Sequence, residues 1–396
     1  EGKRLSPVNN PDHVIVHPLD ACPCGADLSK TPAQDYENRQ VFDLPKPKLD
    51  VTEHRAEIKE CPCCGDIITA PFPEGVAAPV QYGPFFQSLL VYLKDGQLLP
   101  LDRIGQLCAD LYGYDVSAAT IESARRDCYG ALEPFEEKLK ENLIASPLLH
   151  SDESGLRVEG SLHWLHVCST AFMTFYGVHK KRWNEAMDFF GILPLFAGTL
   201  IHDGLAAYPT YACSHALCNA HHLRELKFLF EELKQRWAGR MTDLLLKMLE
   251  CVREQSLERS NLSKKEIARW LKRYRNILKE GYEENPSPPV RTGRRGRPKR
   301  TKAQNLLERM SRYRENVLAF LYDFRIPFTN NQAEQDIRMI KVQQKISGGF
   351  RTLEGARMFA RIRGYISTAR KHNLNAFDMI TRALAGQPFM PQIPTR

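Results

Sequence analysis

Hydrophobic positions divide the chain into stretches of different period. From residue 84 to 145 apolar residues recur every three to four positions. "FFQSLLVYLKD", "LDRIGQLCADLYG" and "SAATIESARRDCYGALEPFEEKLKENL" each carry one apolar face, as amphipathic helices do. A helix led by "VSAATIESARRD" after the turn "LYGYD" fits either a helix-turn-helix pair or plain helical packing. From residue 147 the period falls towards two. "LLHSDESGLRVEG", "LHWLHVCSTA" and "FMTFYGVHK" read as an antiparallel meander, "RWNEAMDFFGIL" as a helix and "FAGTLIHDG" as a buried strand ending in an acid. That order predicts a mixed β-β-β-α-β core. Residues 221–283 return to long amphipathic helices, and "NPSPPVRTGRRGRPKRTK" interrupts them as a loop. Helices then follow in "AQNLLERMSRYRENVLAFLYD", "ARMFARIRGYISTARKH" and "NAFDMITRALAG". Residues 1–70 are rich in Pro, Cys and charge, with short strand-like pieces at "VIVH" and "QVFDL".

The stretch "FTNNQAEQDIRMIKVQQK" (328–345) predicts one more helix. Asn331 followed by Glu334 fits an N-terminal capping box, and Ala333, Ile337 and Ile340 form an apolar stripe. A second stripe holds Glu334, Arg338, Lys341 and Lys345. Read locally, Glu334 is a capping residue with an i,i+4 partner in Arg338. Read chemically, it is a metal-binding carboxylate at the head of a track for phosphates.

Composition narrows the choice. A chain of 396 residues calls for two or three domains, and no apolar run reaches membrane-spanning length. The chain opens on Glu1 in a polar stretch, which suggests a fragment of a longer protein or a processed one. The net charge of +8 is concentrated late: 291–302 carries seven basic residues and no acid, and 335–396 carries eleven against three. That distribution resembles a nucleic-acid footprint. Within the first segment "RRGRPK" resembles an AT-hook, with Arg294, Arg295, Arg297 and Lys299 set to enter a narrow minor groove; a flexible basic linker touching phosphates is the plainer reading. Eleven cysteines without a secretory signal fit a reduced cytoplasmic protein holding one zinc site. "CPCG" and "CPCCG" read as the two knuckles of a zinc ribbon, with Cys22, Cys24, Cys61 and Cys64 as ligands and Cys63 as the alternative to Cys64.

Candidate chemistry gathers at predicted strand ends. Asp152 in "HSDESG" sits at the end of the first core strand and Asp203 in "IHDGLAAY" at the end of the fourth, with Glu334 as the natural third acid. Three carboxylates make a hard oxygen site suited to Mg²⁺ or Mn²⁺ and to phosphoryl displacement. Arg338, Lys341 and Lys345 would neutralise neighbouring DNA phosphates. Of the adjacent pair Asp152 and Glu153 only one can face the site, since strand neighbours point to opposite sides. In "CNAHH", Cys218 and His221 are two local ligands where zinc needs four, so a supporting role is expected; His222 is expected to be exposed and His202 to be a satisfied core histidine.

The order Asp152, Asp203, Glu334 on such a core resembles the DDE transposases of the RNase H-like superfamily. More narrowly, "DESG", "LIHDGLAAY", "HALCNAHHLREL" and "NNQAEQDIRMIKVQQKISGGFRT", with "CPCG…CPCCG" upstream, resemble the IS66 transposase family. The first knuckle departs from that pattern, being Cys-x-Cys where the family has Cys-x2-Cys. The resemblance implies Asp152, Asp203 and Glu334 as the metal-binding triad, with Asp152 preferred over Glu153. It also implies two-metal cleavage and strand transfer at insertion-sequence ends, with a 3′-OH attacking target DNA. The expected fold is α+β multidomain: a zinc ribbon (1–75), a helical DNA-binding or linker domain (76–146), and an RNase H-like mixed α/β core begun at 147–220. A helical insertion with the basic loop (221–310) and the rest of the core with basic C-terminal helices (311–396) complete it. Expected partners are double-stranded terminal-repeat and target DNA, further copies of the chain assembled on it, and accessory transposition proteins, with no membrane. The expected location is the bacterial cytoplasm, on the nucleoid. Two rivals are a nuclease of the same fold that cuts without joining, and a DNA-binding protein without catalysis.

Overall fold

The computed structural model describes residues 5–286 and 300–392. The N-terminal part contains one short antiparallel hairpin, β1 (Ile58–Glu60) and β2 (Ile67–Thr69). The expected strands at "VIVH" and "QVFDL" are absent there; no other segment pairs with them, and Val14 and Ile15 are each 77% exposed. The strands flank the second cysteine knuckle instead.

Helices α1 (Pro84–Val91), α2 (Leu101–Tyr112), α3 (Ala118–Ala131) and α4 (Glu133–Ile144) follow. The turn between α2 and α3 is tight. Gly113 closes α2 at φ 75°, Ser117 caps α3 through the Thr120 amide, and a Cβ on Gly105 would lie 2.9 Å from the Val116 carbonyl. A π-helical turn over Tyr92–Gly96 extends α1 and turns Asp95 inward. There, fully buried, Asp95 receives Arg125 of α3 through two hydrogen bonds of 2.7 and 2.8 Å.

The centre of the molecule is a five-stranded mixed sheet: β3 (Leu148–Val158), β4 (Ser161–Ser169), β5 (Thr174–His179), β6 (Thr199–His202) and β7 (Ser214–Leu217). Their order is β5-β4-β3-β6-β7. The first three are antiparallel, and β6 and β7 run parallel to β3. Helix α5 (Asn184–Phe190) lies in the crossover from β5 to β6. Strand β7, only four residues long, was not visible in the hydrophobic pattern. Glu159 and Gly160, both at positive φ, make the two-residue turn that joins β3 to β4. Asp152 is therefore not at a strand end. The hairpin carries β3 six residues beyond it, whereas parallel pairing with β6 stops at His150. What ends beside Asp152 is the neighbouring strand.

Alternation along β3–β5 gives the sheet two apolar faces. One carries Leu156, Val158, Leu165, Val167, Tyr176 and Val178 against Ala333, Ile337 and Ile340 of α11 (Asn331–Ser347). The other carries Leu149, Phe175 and Leu200 against Phe135, Leu139 and Leu143 of α4. The same cluster includes residues of α12 (Leu353–Lys371) and α13 (Ala376–Leu384), so the helices before the sheet and those after it share one core. Between β7 and α11, helices α6 (Asn219–Glu231), α7 (Arg236–Gln255), α8 (Lys264–Glu284), α9 (Lys302–Arg312) and α10 (Arg314–Val317) build a separate cluster around Trp237, Tyr274, Leu306 and Met310. No helix among the described residues is long and apolar enough to cross a membrane.

Part of the late positive charge faces inward. Arg361 of α12 bonds Glu136 at 2.9 Å and covers the Tyr129 ring, Arg363 donates to the Asp95 and Gly96 carbonyls, and Lys371 pairs with Asp336 at 2.8 Å. The Asp95–Arg125 pair is the deepest of these contacts. Asp95→Ala should cost up to about 3–5 kcal/mol, because the buried Arg125 then keeps only Glu122 of its two carboxylate partners. Urea denaturation of the variant against the parent protein measures it.

Candidate metal and phosphate site

The site lies where β6 ends. Asp203 follows His202 directly, and its Oδ1 accepts the Leu205 amide at 2.9 Å in a turn completed by Gly204 at φ 97°. Asp152 faces it from β3. Asp152, Glu153 and Asp203 each offer a carboxylate oxygen, all within 4.8 Å of one another. Burial, then the charge of Glu153, push the Asp152 carboxyl up to about 7; Asp203 and Glu334 add to the effect.

Glu153 belongs to the same cluster, against the expectation that only one of the pair faces the site, but its oxygens are already engaged. Its side chain is fully buried, takes Arg182 at 2.6 and 2.9 Å and accepts the Tyr208 hydroxyl at 2.6 Å. Burial raises its carboxyl against the pull of Tyr208 and Arg182. Arg182 in turn stacks on Trp164, 4.8 Å from the ring centre. Glu153 thus supports the strand on which Asp152 sits. Tyr208 stood within a quoted motif, but nothing in the sequence marked Arg182 as its partner.

Glu334 enters from α11. The capping box expected with Asn331 does not form: α11 begins at Asn331, Asn330 is the N-cap, and its side chain makes no capping bond. Glu334 does not pair along its own helix among the described ion pairs; it reaches across to α6. Oε1 lies 3.7 Å from Cys218 Sγ and 3.8 Å from His221 Nδ1, and Oε2 lies 3.9 Å from Arg224. Cys218, His221 and Glu334 form a second cluster within 4.8 Å. The three acids expected together therefore occupy adjoining clusters, Asp152 and Asp203 in one and Glu334 in the other.

Asn330 joins the pieces. Buried to 1% exposure, it donates through Nδ2 to the Ser151 carbonyl at 2.9 Å. Its Oδ1 meets His150 Nδ1 at 2.8 Å, and its amide donates to Cys218 Sγ at 3.1 Å. Burial lowers His150, keeping the ring neutral and fixing its proton on Nδ1 to meet the oxygen. The paired "NN" in the sequence was read for capping, and its first member holds this role.

The other candidates fall as follows. His222, expected at the surface, is 3% exposed: its Nδ1 meets Asn219 Oδ1 at 3.0 Å and burial pushes it down to about 3. The α6 helix turns that ring inward while His221 faces Glu334. His202 is fully buried against Tyr208 and His215; Nδ1 accepts the Gly204 amide but Nε2 lacks a partner. Arg338, Lys341 and Lys345 are exposed along α11, with Lys341 tied at 3.2 Å to the Gly155 carbonyl. Arg294, Arg295, Arg297 and Lys299 lie outside the described residues.

The N-terminal cysteines form two tight knuckles. Gly25 (φ 92°) bonds back to the Cys22 carbonyl at 2.8 Å, and Gly65 (φ 74°) to that of Cys61 at 2.9 Å. The Ala26 amide and then the Cys22 thiol lower Cys24, and the amides of Cys64 and Cys63 lower Cys61. Cys64 also donates to Asp66 Oδ2 at 3.3 Å. Paired thiols with amides turned towards them suit zinc. Cys22, Cys24, Cys61 and Cys64 are not among the clusters of three or more ligand groups within 4.8 Å in the described residues.

Residues 79–358, most of the chain, match the family model described as "Transposase IS66 family". Residues 20–65 match that of the "zinc-finger binding domain of transposase IS66". No curated protein matches the sequence.

Two outcomes test this geometry. Asn330→Ala leaves the Ser151 carbonyl and the His150 ring without partners and should cost about 2–4 kcal/mol, read by chemical denaturation. Asp152→Asn should raise the thermal midpoint in EDTA at pH 8 by a few degrees, since it removes a charge from a repelling cluster. A carboxyl raised to about 7 in the fold keeps its proton between the unfolded value and 7, so its penalty develops as pH rises through that window. The gain should shrink as pH falls and vanish only below the unfolded value of about 4. Equal midpoints at pH 8 would remove the repulsion.

Proposed function

The chain belongs to the IS66 transposase family, and on that premise we propose that it cleaves and joins DNA by DDE chemistry, with Asp152, Asp203 and Glu334 as its acids. The observation that carries the reading is the convergence of these residues. The end of β6 brings Asp203 to Asp152, and α11 sets Glu334 in the adjoining cluster, on a sheet ordered β5-β4-β3-β6-β7. Three antiparallel strands followed by parallel ones support an RNase H-like core.

The donor set fits a hard divalent cation, because Asp152, Asp203 and Glu334 offer oxygen alone; burial, then the charges of Glu153, Asp203 and Glu334, raise Asp152. Mg²⁺ or Mn²⁺ bound there would polarise the scissile phosphate and activate the attacking hydroxyl. The chain's own residues do the rest. Glu334 turns from His221 and Arg224 towards Asp152 and Asp203, which frees the half-exposed Arg224 to meet a phosphate. Glu153, clamped by Arg182 and Tyr208, holds β3 in place beneath Asp152. Arg338, Lys341 and Lys345 contact phosphates beside the scissile one, and their contribution weakens with salt. Water attacks first and leaves a 3′-OH, which then attacks target DNA in line; no side chain becomes covalently attached.

Cys22, Cys24, Cys61 and Cys64 hold zinc in this reading, and the ribbon and the α2–α3 pair bind the insertion-sequence ends. Double-stranded DNA is the partner, and bringing two ends together requires more than one copy. The divisions at 75, 146, 220 and 310 are part of this proposal, although one apolar core crosses the second of them and another crosses the fourth.

Labelled terminal-repeat DNA with Mg²⁺ tests the proposal. The parent chain should give cleaved and joined products, and Glu334→Gln should lose both by ~10²-fold or more while still binding DNA. Cut ends without joined products would identify a nuclease. Salt-sensitive binding indifferent to Mg²⁺ and to Glu334 would identify a DNA-binding protein without catalysis.

A further inference from the structure

The two clusters at the sheet end differ in chemistry. Asp152, Glu153 and Asp203 are oxygen donors only, whereas Cys218, His221 and Glu334 present sulfur, nitrogen and oxygen. Spacing alone gave two ligands in Cys218 and His221; the fold supplies a third from 116 residues away. Cys218 precedes the first turn of α6, 1% exposed, and its sulfur accepts the Asn330 amide at 3.1 Å. The backbone amides of Ala220 and His221 also face it. Burial raises the Cys218 thiol, and these N–H groups work against that rise, placed to donate to a thiolate once a cation displaces the proton. His221 Nδ1 is buried and has no hydrogen-bond partner. It faces the same carboxylate oxygen as the thiol.

We propose that Cys218, His221 and Glu334 form a site for a thiophilic divalent cation such as Zn²⁺, and that this site competes with Asp152 and Asp203 for Glu334. The metal–ligand lengths of zinc, about 2.3 Å to sulfur and 2.0–2.2 Å to nitrogen or oxygen, place tetrahedral ligands roughly 3.3–3.6 Å apart. Cys218 Sγ and His221 Nδ1 already stand 3.7 and 3.8 Å from Glu334 Oε1. Closing needs side-chain movement of well under a bond length for those pairs. Binding displaces the thiol proton to solvent, so thiolate and carboxylate together balance the dication. Three protein ligands leave a fourth position open on the side where His221 and Arg224 reach solvent. Mg²⁺ avoids sulfur and prefers the oxygen cluster, so the two sites sort cations by softness. Glu334 belongs to the soft cluster and its charge is felt at Asp152, so a cation on the soft site holds it away from the hard one. The binding claim stands on this cluster alone; the inhibitory consequence rests on the proposed function.

The test uses the full chain with its ribbon filled by zinc, titrated with Co²⁺. The parent should gain a near-ultraviolet thiolate-to-cobalt band at one equivalent beyond the ribbon. Cys218→Ser should lose that band, and His221→Ala, at a partly exposed position, should weaken the titration by about tenfold or more. The ribbon cysteines are intact in both, so their contribution cancels. Superimposable titrations of parent and Cys218→Ser overturn the site. In a second arm, Mg²⁺-supported cleavage is measured as each protein's ratio with and without micromolar Zn²⁺. The ratio should fall at least tenfold in the parent and stay near one in Cys218→Ser; an equal fall in both overturns the competition for Glu334. A cobalt band from a protein that never cleaves DNA would keep the cation site and sink the transposase chemistry.

Discussion

The candidate site depends on one buried amide. Asn330 needs both ends of its side chain, a donor for the Ser151 carbonyl and an acceptor for His150, and its main-chain N–H meets Cys218 while its carbonyl starts α11. Strand β3, the start of α6 and the start of α11 meet there. They carry Asp152, the Cys218–His221 pair and Glu334 respectively. No other residue type of that size offers a donor and an acceptor without charge in a site this dry. Asn330 stands 179 residues along the chain from Ser151 and 112 from Cys218, so their alignment is set by local bonds and not by connectivity. A second clamp lies two residues into α11 from Glu334. Asp336 pairs with Lys371, and its carbonyl takes the Tyr176 hydroxyl, which locks the helix over the sheet.

Against this rigid frame stands a cluster of carboxylates that repel one another. Burial and like charge raise Asp152, and nothing among the described residues offers it a cation of its own. Glu153 shows the alternative. One position along the same strand, it is held by Tyr208 and Arg182, which work against the rise that burial imposes. A fold selected for stability alone would treat both acids as it treats Glu153. Leaving Asp152 and Asp203 facing each other is tolerated because the packed faces of the sheet hold the backbone regardless of their charge state.

Much of this was legible in the sequence where the signal was periodic. The meander, the long helices and the α11 stripe of Ala333, Ile337 and Ile340 follow from spacing, because each element buries one face. Strand β7 escaped because "SHAL" is short and only its last two residues are buried, and "VIVH" misled because an apolar run makes a strand only where a partner edge exists. Asp152 was placed at a strand end because a hairpin and a parallel pairing look alike until their registers differ. Asp203 and Glu334 were legible as acids beside a turn and at a helix start. What no local pattern could give is the company they keep: Glu334 facing Cys218 and His221, or Asn330 tying β3 to α11. Such contacts are properties of the assembled tertiary structure.

The late positive charge carries a related lesson. Eleven basic residues against three acidic ones after residue 335 suggested a surface for phosphates. Yet Arg361, Arg363 and Lys371 point into the protein, where they bind Glu136, main-chain carbonyls and Asp336. Arginine and lysine on α12 hold the helices before the sheet to the helix behind it, because a long cationic side chain can satisfy several carbonyls that a packed interface would otherwise strand. Exposure, not count, then defines the electrostatic footprint: Arg338, Lys341 and Lys345 along α11, beside the acids, with Arg224 across from them and Arg351, Arg357, Arg370 and Arg382 also exposed. Positive charge set next to a carboxylate cluster suits a ligand that brings its own negative charge to the one and a reacting phosphate to the other.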